Sequence, residues 1–110
     1  MKSQKIMQNP IARKLYDYKF NQASNMLMGN VKEAKQNCRE YAKLAVQNFE
    51  ISTQVPSPIR GRIPLFSKSG MNILKFVIYN FFTKDTPEEK QYKKLVQEHK
   101  IKTENLNVYR

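Results

Sequence analysis

The chain has 110 residues, enough for one domain with a modest core. It is 40% hydrophobic and 26% charged, which excludes a plainly disordered chain. Twenty Lys and Arg against nine Asp and Glu leave a net charge of +11, so an anionic partner is expected: nucleic acid, an anionic lipid surface or an acidic neighbour.

Lys outnumbers Arg fifteen to five. Lysine is a point charge without the bidentate fork that reads bases, so the charge fits non-specific attraction better than sequence recognition. A single cysteine, Cys38, excludes an internal disulfide. With His99 as the one histidine, the chain alone assembles no zinc site of ordinary spacing. The opening MKSQKIMQNPIARKLY holds no acid and lacks the apolar core of a secretory signal. It is compatible with an organellar targeting segment, though poor in Arg and Ser.

The first helix opens at Asn9-Pro10, with proline at a helix-start position. Ile11, Leu15 and Tyr18 follow on one face, and Gly29-Asn30 signals a turn. Asn30 and Glu33 have capping-box spacing for a second helix. Its apolar stripe is Val31, Ala34, Cys38, Tyr41, Ala45 and Phe49, read as a docking face. The stripe places Cys38 as a small packed residue. Lys32, Lys35, Gln36, Arg39, Lys43 and Gln47 are assigned to the opposite, basic outer face. That face fits a solvated surface, with lipid headgroups or RNA phosphates as its candidate ligands.

From Glu50 to Ser69, Pro56, Pro58 and Pro64 prevent regular structure. The segment "VPSPIRGRIPLF" is too apolar for a free linker, so it is expected to lie extended along another surface. Next comes "GMNILKFVIYNFFTK". Met71, Ile73, Leu74, Phe76, Val77, Ile78, Phe81 and Phe82 make it the most apolar stretch of the chain. Lys68, Asn72, Lys75, Tyr79 and Thr83 recur at four, three, four and four residues, a polar stripe that Lys84 extends. The stripe is read as facing lipid headgroups or partner subunits. Such a helix fits two placements: lying in a membrane interface, or crossing a bilayer with its polar stripe turned to protein. The run from Met71 to Phe82 would reach only about 18 Å, against about 30 Å of hydrocarbon. A last helix starts at Thr86, with Pro87 at its first position and Glu89 at capping-box spacing. Leu106, Val108 and Tyr109 alternate, which predicts a short extended tail.

Together these patterns predict a mainly α, non-globular chain of about four helices. It has an extended Pro-containing linker and one apolar helix, embedded in a membrane or docked on a partner. Its parts are a basic helical segment at 1–49, a linker at 50–69, the apolar helix at 70–84, and a charged helix with its tail at 85–110. Gly29, Gly61 and Gly70 are isolated, so there is no phosphate loop. Glu88 and Glu89 are explained by helix capping rather than acid–base work. Neither an enzyme activity, a metal nor a cofactor is expected.

The order "SGMN", "FVIYNFF", "KKLVQEHKI" and a near-terminal Tyr109 resembles a family of small accessory subunits, the B15 type, in the membrane arm of mitochondrial respiratory complex I. Ile78-Tyr79 match the end of that family's single span, and Lys94, Leu95, Val96, Gln97 and Glu98 match a charged run beyond it. The likeness covers about forty residues. This chain departs from the family by carrying Lys75 within the span and extra residues around "DTPEEKQ". The resemblance implies a non-catalytic structural subunit in the mitochondrial inner membrane, without a cofactor. Its partners would be other subunits and anionic lipid such as cardiolipin, which lysines near both ends of the apolar helix would bind. The alternative is a small basic RNA-associated protein of an organellar ribosome, supported by the charge and by Arg60-Gly61-Arg62.

Overall fold

Asn9 and Pro10 start the first helix by the chemistry expected of them. In a computed structural model that describes residues 6–58, 64 and 66–108, with side chains as far as Ile101, helix α1 runs Pro10–Met28. The Asn9 side chain accepts the Ile11 N–H at 2.9 Å, and Pro10 fills the first turn. Gly29 ends the helix at φ 83°, a left-handed conformation that glycine adopts without a Cβ penalty. The Gly29 and Asn30 N–H groups then close on Met26 and Asn25 carbonyls.

Helix α2 is Val31–Gln47 and a short α3 is Phe49–Ser52. Asn30 stands at the α2 N-cap, but its side chain makes no capping bond. It reaches toward Asn25 instead, and Asn25 donates to Asn37 at 2.8 Å. The expected box with Glu33 is therefore not formed, because a side-chain chain across the α1–α2 turn takes Asn30.

Helix α4 is Lys68–Phe82 and α5 is Pro87–Val108. Ser67 caps α4, accepting the Gly70 N–H at 3.1 Å. At α5 the expected box is complete: Thr86 N–H donates to Glu89 Oε1 at 3.1 Å, and Glu89 N–H donates to Thr86 Oγ1 at 3.3 Å. The helix continues to Val108, so the backbone of the expected extended tail is helical. Tyr109 lies outside the described residues, as does Arg60-Gly61-Arg62 of the linker.

The chain is mainly helical, with no strand among the described residues. Helices α1 and α2 form a hairpin; α4 lies on both, and α5 packs on α2. The linker leaves α3 with Val55 against the core, while Ser57 and Pro58 border a cleft beside Lys19, Gln22 and Met26 of α1. The Cα radius of gyration is 15.0 Å. That is nearer the ~13 Å of a compact chain this long than the ~33 Å of an unfolded one, where the pattern had suggested a non-globular chain.

Leu15, Tyr41 and Ala45 form the core, with Ile11, Tyr18, Leu44, Ile51, Val55 and Tyr92 around them. Five of the eight buried apolar residues among those described are alanines: Ala12, Ala23, Ala34, Ala42 and Ala45. Small residues let α1 and α2 approach closely but bring little apolar volume. Helix α4, at fifteen residues, is about 22 Å long. Among the described residues, no helix is long and apolar enough to cross a membrane. The bilayer-crossing placement, and the single span implied by the resemblance, are corrected on that ground.

Leu15→Ala should lower the unfolding free energy by about 2–5 kcal/mol in urea titration, since its side chain is fully enclosed. Phe81→Ser, at an exposed position, should stay within about 0.5 kcal/mol of the parent.

Candidate functional site

The docking stripe of α2 is internal. Ala34, Tyr41 and Ala45 are buried, and Val31, Cys38 and Phe49 are half-buried. Tyr41 and Phe49 meet Tyr92 of α5 edge-to-face, at ring-centroid distances of 5.4 and 6.2 Å. Lys19 of α1 stands over the Tyr41 ring at 5.1 Å. The stripe therefore holds this chain's own helices rather than offering a face to a partner.

The buried arc of α2 is wider than the stripe. Lys35, assigned by sequence to the outer face, is 1% exposed and lies about 100° round the helix from Ala34. Its ammonium donates to Asn80 Oδ1 at 2.6 Å, Asp85 Oδ1 at 2.8 Å and Glu89 Oε2 at 2.7 Å. All three of its donors are used. Arg39 Nε is 3.6 Å from Glu89 Oε1, an ion-pair contact too long for a hydrogen bond. Lys93 closes on the far oxygen of Asp85.

This cluster is electrostatically closed. Burial alone would pull the Lys35 pKa down, but hydrogen bonds and charge from Asp85 and Glu89 hold it above its ordinary 10.5. For Glu89, burial pushes the carboxyl up; Lys35 and the Thr86 N–H outweigh that and leave it below 4.5. Lys35 and Lys93 hold Asp85 below 3.8. Both acids stay charged at neutral pH, with their lone pairs committed to cations and the helix cap.

Beside the cluster, Lys19, Cys38, Tyr41, Ala42, Glu89 and Tyr92 line a cavity of about 210 Å³. Burial and the Glu89 carboxylate push the Cys38 thiol up, so it stays protonated and weakly nucleophilic. His99 sits at the exposed edge of α5 with its ring 5.8 Å from Phe49 and is not among the residues that line this cavity.

Helix α4 presents the second feature. Its polar side is partly turned inward: Asn72 donates to the Leu27 carbonyl at 2.7 Å, Asn80 accepts from Lys35, and Tyr79 is half-buried. Phe76, at 5% exposure, is the one large apolar side chain of α4 that is buried; Ile73 is half-buried. Met71, Leu74, Val77, Ile78, Phe81 and Phe82 are exposed, the last two at 83% and 81%. Lys68, Lys75 and Lys84 are exposed as well. The single polar stripe read from the sequence thus divides. Asn72 and Tyr79 face the protein's own body, while the lysines keep to the outside.

Lys35, Asn80 and Asp85 were not singled out from the sequence, and Glu89 was read as a cap alone. One signal was available. Ala42, seven residues after Lys35 and on the same side of the helix, continues the apolar surface round to it. No family model matches the chain, and no curated protein or solved structure matches it either.

Lys35→Met leaves buried Glu89 with only the long Arg39 ion-pair contact and should cost about 3–5 kcal/mol. Adding Glu89→Gln, which keeps a capping residue, should recover part of that loss. The unfolded chain binds more protons at acid pH than the folded one, because the carboxyl values are depressed by folding. Stability should therefore be complete above about pH 5 and fall as the pH drops through the folded values. Lys35 acts in the opposite sense: its contribution is complete below pH 10.5 and lost as the pH rises through its raised value. Urea unfolding across pH checks all three, with the double variant showing the weaker acid dependence.

Proposed function

We propose that this chain is a non-catalytic structural accessory subunit of a mitochondrial inner-membrane respiratory complex, with the membrane arm of complex I as the first assignment to test. The observation that carries the reading is the outward apolar face of α4. A helix that hydrogen-bonds its polar side to its own body and leaves six large apolar residues outside is built for attachment to something.

Three further points support it. The C-terminal residues from "SGMN" to "KKLVQEHKI" resemble the accessory-subunit family of that arm, with α4 attached at the membrane rather than spanning it. The +11 charge suits a surface of anionic lipid. The charged cluster at Lys35 joins α2 to the α4–α5 turn, and all three Lys35 donors are engaged within the fold.

Binding to organellar ribosomal RNA draws on the same charge. However, Tyr41, Phe49 and Tyr92 pack against one another rather than interleaving with basic residues as stacking platforms.

Native purification from detergent-solubilised mitochondrial membranes, with mass-spectrometric identification of companions, tests the assignment. The chain should migrate with a respiratory complex. Sedimentation with ribosomal particles, or companions unrelated to any respiratory complex, would overturn it.

A further inference from the structure

We infer that α4 lies in the plane of an anionic membrane surface. Its outward face enters the acyl boundary, and Lys68, Lys75 and Lys84 reach the headgroup phosphates. The inference rests on the reading of α4 as the attachment surface and names its occupant.

The positions on the helix carry the argument. At about 100° per residue, Val77, Phe81, Leu74, Ile78, Met71 and Phe82 sweep an arc of roughly 140°, interrupted only in the first turn by the buried Gly70. Lys75 and then Lys68 follow directly beyond Phe82 along the same edge. Lysine stems at such an edge lie along apolar surface while their ammonium groups rise to the phosphates. From Ser67 to Lys84 there are three lysines and no acid, so the border carries one sign only.

The ends of the face are aromatic. Phe66 is exposed just before the helix starts, and the Phe81 and Phe82 rings meet at 5.4 Å where it finishes. Bulky rings on the apolar side and lysines at its border are the composition of a helix lying in an interface. A length of about 22 Å is too short to cross the hydrocarbon and ample to lie along it.

The rotation of α4 is held from within. Asn72 on the Leu27 carbonyl and Asn80 on Lys35 point the opposite side into the body. Gly29 permits that approach, since a Cβ there would lie 3.2 Å from Asn72 Oδ1. The body is thus fixed above the face, and the face meets its target as one convex surface. A flat lipid layer receives a convex helix without a groove. The one-sign border fits phosphates better than a protein surface of mixed charge.

The test uses the full chain and sedimentation with vesicles of phosphatidylcholine alone and of phosphatidylcholine with cardiolipin. Binding should be strong only to the anionic vesicles and should weaken as salt rises. Lys68→Gln, Lys75→Gln and Lys84→Gln together should weaken it on the order of 100-fold. Phe81→Ser with Phe82→Ser should weaken it at least about ten-fold. The unfolding midpoint should stay unchanged, since both rings are exposed. Failure to bind anionic vesicles, or binding that survives the double serine variant, overturns the proposal. A dimer that forms through these phenylalanines and ignores vesicles also overturns it, giving the face to a second copy. Co-purification with a respiratory complex without vesicle binding overturns the lipid assignment but keeps the proposed function. Vesicle binding with unrelated companions does the reverse.

Discussion

The buried ammonium of Lys35 is the constraint on which the arrangement of helices depends. A lysine taken out of water is costly unless all its donors are met by acceptors, preferably charged ones. Here one acceptor comes from α4, one from the α4–α5 turn and one from the first turn of α5. Three points on the second half of the chain are thereby fixed to one point on α2. The apolar core cannot do this alone, because most of its buried residues are alanines. Such a core brings helices together without strongly choosing their rotation. A buried ion pair adds little net stability over a good apolar packing, but it penalises every arrangement that leaves the charge unpaired. Its contribution here is to geometry more than to depth of stability.

That geometry decides what α4 shows to the outside. Asn80 must face Lys35, and Asn72, eight residues earlier, must face the Leu27 carbonyl. Both lie on the side of the helix that holds Phe76, so this side goes inward. The larger apolar arc has nowhere to go but outward. In most soluble helices the preference runs the other way, because apolar burial dominates. The hydrogen-bonded side wins here because an unpaired buried lysine would cost more than leaving phenylalanines exposed that another surface can cover.

Charge is divided between the same two tasks. Lys35, Arg39 and Lys93 work against Asp85 and Glu89 within the fold. Much of the basic excess stays on the surface, including the lysines bordering the outward face of α4. A closed inner cluster and an open outer field divide the charge between holding the fold together and forming its surface.

The sequence by itself determined the four long helices and several of their ends, but not the short α3 or the helical course of the tail to Val108. Asn9-Pro10, Gly29 and the Thr86–Glu89 box act between residues a few positions apart, so their geometry follows from local chemistry. It also marked the apolar stretch, most of whose large side chains the structure leaves exposed, and the inner stripe of α2 through Ala34, Tyr41 and Ala45. Asn30 was misjudged because its competitor, Asn25, belongs to the preceding helix. Only the tertiary structure decided that Lys35 is internal, that Asn72 and Tyr79 part from the lysines, and that the apolar side of α4 faces out. The partners of Lys35 are 45 to 54 residues away. Helical periodicity places a side chain on a face of its own helix, but which helix meets that face depends on contacts between residues far apart in the chain.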